Sequence, residues 1–132
     1  MYKYLYVVCL CIAGQSVAAD TPLTGKQFEQ RVMGKTLSFT SGNVTYGAEE
    51  YLDDRRVKWS FLDGECHEGH WYDYGSKICF VYYDMPTEQC WSFFDRNGQI
   101  MARSENGSRG RELIATVHQD EPLMCLGPKV GA

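Results

Sequence analysis

The residues of this chain best equipped for chemistry sit together at Cys66-His67-Glu68-Gly69-His70. Imidazole and carboxylate bind copper or zinc, and Met85 or Met124 would add a soft thioether donor. A metal centre on His67 and His70 is therefore one reading. Against it, a three-residue step along a strand puts the two histidines on opposite faces. Gly64 and Gly69 suggest a turn, and an oxidised Cys66 has no thiolate to give. Two exposed turn histidines are the favoured reading, and the cysteine spacings lack the Cys-x-x-Cys knuckles of a zinc site. No cofactor is expected.

A second concentration of reactive side chains runs from Tyr46 to Tyr51, with Glu49 and Glu50 between the phenols and Asp53-Asp54 just beyond. Carboxylates beside phenols are raw material for acid/base work or calcium binding. The Asp-x-Asp-x-Asp-Gly spacing of a calcium loop is absent, and charged residues are mostly exposed, so a solvated loop is expected. A buried structural Glu49 bonded to backbone is the intermediate option. Ser60, Ser92 and Ser104 lack a Gly-x-Ser-x-Gly elbow, and His118 stands apart from the Cys66 cluster. The expectation is a protein without catalytic activity.

The elements that must position these groups belong to an exported domain. Lys3, the apolar stretch Leu5 to Ala13 and the small residues Val17-Ala18-Ala19 have the three-part layout of a cleavable signal, residues 1–19, with Cys9 and Cys11 leaving alongside it. The apolar run is shorter than the roughly 20 residues a spanning helix needs. Residues 20–132 then form a single disulfide-stapled domain that retains Cys66, Cys79, Cys90 and Cys125. The formal net charge of −4 grows by one negative unit when Lys3 is removed. Arg55-Arg56-Lys58 directly follows Asp53-Asp54, so nothing basic is clustered enough to track phosphates and nucleic acid is excluded as a partner.

Thr24-Gly25-Lys26-Gln27 has the form of a capping box, and Phe28 and Val32 follow at helical spacing before Gly34, predicting one short helix over 25–33 with Leu23 stapled to Phe28. From Thr36 the period becomes two. Strands are predicted at 36–40, 57–61, 70–74, 77–83, 89–94, 100–103 and 112–118, separated by turn signals. The fold class is mainly β: a small antiparallel barrel or sandwich built as a meander, with one short N-terminal helix. Alternation assigns Trp59, Phe61, Trp71, Ile78, Phe80, Tyr82, Trp91 and Phe93 to the core. A turn near Asp84 to Met85 sets Cys79 opposite Cys90, which leaves Cys66 to pair with Cys125. Four cysteines allow three connectivities, and this one is preferred on geometry.

The segments LTGKQFEQRVMGKTLSF, YGAEEYL, RRVKWSFLDGEC, GHWYDYGSKICFVYYD and CW resemble a group of short exported alphaproteobacterial proteins of unknown function, loosely the DUF995-like families. The resemblance covers most of Leu23 to Phe94 and implies the periplasm of a Gram-negative cell. It carries no activity and no functional residue.

The function expected is binding, by a periplasmic monomer, of an unidentified protein or a small envelope ligand, with no stable membrane span after signal cleavage. Outward-alternating Tyr72, Tyr74 and Tyr83 would supply a surface patch, and the aromatic stock a ligand cavity, though small barrels are usually filled by side chains. By fold-level analogy the partner would be a cationic envelope-directed protein such as a lysozyme, met by Asp53 and Asp54, with this chain as inhibitor or protective factor. Copper or zinc binding through His67 and His70 is one alternative. A structural envelope component is the other.

Overall fold

Thr24 starts the helix as the capping box requires. Its hydroxyl accepts the Gln27 backbone N–H at 3.1 Å, and Gln27 Oε1 accepts the Thr24 N–H at 2.9 Å. Helix α1 (Gly25–Val32) then buries Phe28 and Val32 on one face. The computed structural model describes residues 21–104 and 111–126. The expected signal segment, with Cys9 and Cys11, and the expected turn at Glu105 to Ser108 lie outside the described residues.

Beyond Gly34, at φ +75°, alternating apolar residues produce strands β1 (Lys35–Ser41), β2 (Val44–Tyr51), β3 (Arg56–Ser60), β4 (His67–Tyr74), β5 (Lys77–Tyr82), β6 (Gln89–Arg96), β7 (Gln99–Ser104) and β8 (Glu112–Gln119). Each pairs antiparallel with the next, and β8 returns to β1 with Lys35 opposite Gln119 and Thr40 opposite Ile114. The expected meander is thus a closed barrel, which leaves no sheet edge exposed. No helix among the described residues is long and apolar enough to cross a membrane.

Strand β2 corrects the sequence reading, which took 46–51 for a solvated loop. Glu49 pairs with Leu37 on one side and Trp59 on the other, and is 1 % exposed. The register shifts between Phe39 opposite Gly47 and Thr40 opposite Thr45, which makes Tyr46 the extra residue of a β-bulge. That bulge breaks the two-residue period, so the segment does not read as a strand.

Helix α1 plugs one end of the barrel. The Phe28 ring lies 5.1 Å from Trp71 and 4.3 Å from Phe93, with Tyr51 at 5.6 Å. Arg31 pairs with Asp95 and donates to the Gly98 carbonyl at 2.9 Å, which ties the helix to the β6–β7 turn. Across the same end, Arg55 reaches Asp73 at 2.9 Å and Glu29 at 3.4 Å while its guanidinium lies 4.2 Å from the Trp71 ring centroid.

Both expected disulfides are present, Cys79–Cys90 across β5 and β6 and Cys66–Cys125 at the C-terminal segment. The latter segment lies along the outer face of β2 and β3. The Leu123 N–H donates to Glu50 Oε2 at 3.1 Å and the Leu126 N–H to the Gly64 carbonyl at 2.7 Å.

Candidate functional site

Among the described residues no helix covers the barrel end opposite α1, and the sequence builds a different surface there. Trp59, near the end of β3, is buried, and its indole fits because the residue beside it is Gly47: a Cβ at that position would meet Trp59 Cζ2 at 2.3 Å. The bulge sets Tyr46 beside Trp59, ring centroids 5.6 Å apart, and Phe61 stands edge-on to both, at 6.1 Å from Tyr46 and 5.5 Å from Trp59. Trp91 and Gln89 come from the start of β6. The result is a cavity of ≈ 40 Å³ whose lining includes Phe39, Tyr46, Trp59, Phe61, Tyr82 and Trp91, with Glu49 among them.

Glu49 is the polar centre of this cavity. The Tyr82 hydroxyl donates to Glu49 Oε1 at 2.8 Å, and Oε2 is buried without a hydrogen-bond partner among the described residues. Desolvation raises the Glu49 carboxyl well above the usual carboxylate range, and the Tyr82 hydrogen bond opposes that shift. Burial, followed by the nearby Glu49 charge, also pushes the Tyr51 and Tyr82 phenols up. No Lys, Arg or His lines the cavity among the described residues. A carboxyl buried with an unpartnered oxygen costs stability; here that oxygen belongs to a group lining an aromatic cavity.

Two residues assigned to the core belong instead to this mouth: Phe61 is 43 % exposed and Trp91 half-buried. Small barrels fill their interiors with side chains, and the described residues of this one leave a cavity at the end away from α1. The intermediate option for Glu49 holds in its burial, but the partner is the Tyr82 side chain and not backbone. Sequence reasoning missed Glu49 as a site residue. The available signal was Glu49 and Tyr51 in phase with each other, one residue out of phase with Tyr46.

His67 is not in a turn. It opens β4, half-buried, with Nδ1 2.7 Å from Asp84 Oδ2 and its ring 5.8 Å from Phe61. His70 faces the other side of the sheet, where Nδ1 lies 3.3 Å from the Tyr83 hydroxyl. The structure therefore does not bring the two imidazoles together. Among the described residues the ligand-type side chains that do converge are Cys79, Glu88 and Cys90, and both sulfurs there are committed to the disulfide.

The three tyrosines of the expected surface patch are all exposed. Tyr72 and Tyr74 face outward on β4, with the Tyr72 hydroxyl bonded to Glu88, and Tyr83 follows β5 beside His70. Asp53 and Asp54 lie in a single-turn helix (Asp53–Arg55) at the α1 end, away from the open mouth. None of these five lines the aromatic cavity. Compared with family models, with curated proteins and with solved structures, the chain matches none.

Proposed function

We propose that the protein is an exported, non-catalytic binding protein whose open barrel mouth receives one compact ligand. The observation that carries this reading is the buried Glu49 carboxyl, with one oxygen unpartnered, in a cavity otherwise walled by aromatic rings. Ligand sites of small barrels combine that apolar wall with a few placed polar groups. A volume of ≈ 40 Å³ suits a group of a few heavy atoms, since one water needs about 10–15 Å³ on this scale. The two disulfides support an oxidising compartment, which fits export to the periplasm.

The test is chemical-shift mapping of the oxidised mature protein against a set of small amines, alcohols, amides and carboxylic acids. Binding at the mouth shifts the indole N–H signals of Trp59 and Trp91 and leaves that of Trp71, under the helical plug, in place. If no compound moves the Trp59 and Trp91 signals, or if Trp71 moves equally, the mouth is not the site.

A further inference from the structure

Resting on that reading, we infer that the occupant of the mouth is a compact primary ammonium group, an R–NH₃⁺ whose N–H donors serve Glu49 Oε2 and whose short apolar stem lies against Tyr46, Trp59 and Trp91. Three features of the cavity converge on this class. First, Oε1 already accepts from Tyr82, so Oε2 is the buried oxygen left for a ligand, and in the carboxylate form it is satisfied by a donor. Second, the faces of aromatic rings are negative and attract cations, Trp most strongly, and two of the walls here are indoles. Arg111 shows that attraction at the rim, its guanidinium 5.2 Å from the Tyr46 ring centroid. Third, the lining holds a carboxyl and no basic side chain among the described residues, so the one cation near the mouth, Arg111, stands at the rim over Tyr46 and not inside.

The proton balance follows. In the empty barrel, burial favours the neutral acid form of Glu49. An ammonium ion binds the carboxylate form, and the displaced proton goes to solvent, so binding releases a proton and tightens as pH rises. The titratable groups against Glu49 are Tyr51 on its own strand and Tyr82 from β5; Tyr46 lines the same cavity with Arg111 over its ring, and from β3 and β1 Glu49 pairs with Trp59 and Leu37. His67, paired with Asp84, stands at the rim beyond Phe61.

The experiment compares three probes by calorimetry on the oxidised protein: n-butylammonium, which has charge and donors; 1-butanol, a donor without charge; and tetramethylammonium, charge without donors. Expected is saturable n-butylammonium binding at least tenfold tighter than either of the others, with proton release seen in buffers of different ionisation enthalpy. Glu49→Gln should weaken n-butylammonium at least tenfold and leave 1-butanol unchanged. These wild-type comparisons stand even where the variant does not fold. If 1-butanol binds as well as n-butylammonium with no proton released, the ammonium class is overturned while the mouth remains a ligand site. If tetramethylammonium binds as well, the donor argument is overturned. Should none of the three bind or shift the Trp59 indole while another small compound does, only this inference falls; should nothing shift it, the ligand-site reading falls with it.

Discussion

The Tyr82 hydroxyl and the Glu49 carboxyl meet inside the barrel at 2.8 Å, a phenol from β5 joined to an acid from β2 across the lumen. Replacing Tyr82 by Phe leaves both carboxyl oxygens without a donor. The expected cost is about 1–3 kcal/mol in denaturant unfolding, that of an unsatisfied buried group. The Glu49 carboxyl should also rise further, because the Tyr82 bond is what lowers it. An unchanged midpoint in Tyr82→Phe would show that the bond contributes nothing.

Glu49 makes stability depend on pH with a definite sign. Its folded-state pKa is raised, so between the unfolded value and the folded one the native state holds the extra proton. Stability is then greatest below the unfolded value and falls as pH rises, at up to about 1.4 kcal/mol per pH unit. Tyr51 and Tyr82 are themselves pushed up and do not titrate between pH 5 and 8. Urea unfolding over that range should show wild type losing stability relative to Glu49→Gln. Parallel curves would mean that Glu49 does not titrate differently in the folded state.

Gly47 is required by the Trp59 indole. The Cβ of Gly47→Ala would lie 2.3 Å from Trp59 Cζ2 and 2.6 Å from the Ser60 carbonyl. Overpacking of this kind costs about 1–3 kcal/mol, and here it also displaces a wall of the mouth. A lower melting temperature together with a changed tryptophan emission maximum is expected. Wild-type values on both would refute the packing argument.

The two disulfides should differ in worth. Cys66–Cys125 closes 59 residues and Cys79–Cys90 only 11. The chain-entropy relation gives about 4 kcal/mol for the first against about 3 for the second. The Cys66→Ala, Cys125→Ala pair should therefore unfold at lower denaturant than the Cys79→Ala, Cys90→Ala pair, and the reverse order would show that strain or packing outweighs loop entropy.

Phe28 is the plug. It is fully buried against Trp71, Phe80 and Phe93, and Phe28→Ala should cost about 3–5 kcal/mol. Thr24→Ala, which removes the cap and no core contact, should cost about 1 kcal/mol. Equal losses would mean that the helix is held by its cap and not by its buried ring.

Seven of the eight strands, the helix and the cysteine pairing are legible because each leaves a local trace: period-two apolar residues, a capping box, and cysteines equidistant from a turn. The site is not legible for an equally physical reason. Glu49 is acidic, and an acid in a sequence argues for solvent. Only the closure of β2 between β1 and β3 buries it, and the Tyr46 bulge hides the alternation that would have placed it inside. Likewise Phe61 and Trp91 carry the same inward phase as Trp71 and Phe93. Nothing along the chain says which end of the barrel the helix will seal.

The pairing of β1 with β8 dictates the order of events when the chain folds. Lys35 pairs with Gln119, so a polypeptide made from its N-terminus cannot complete the cylinder until β8 has been released. Until then β1 and the growing front of the meander both present unpaired backbone, the condition in which strands recruit neighbouring chains. Contacts this remote in sequence make closure slow. The interval before sealing is therefore the part of this molecule's life in which it depends most on being kept apart from its own copies.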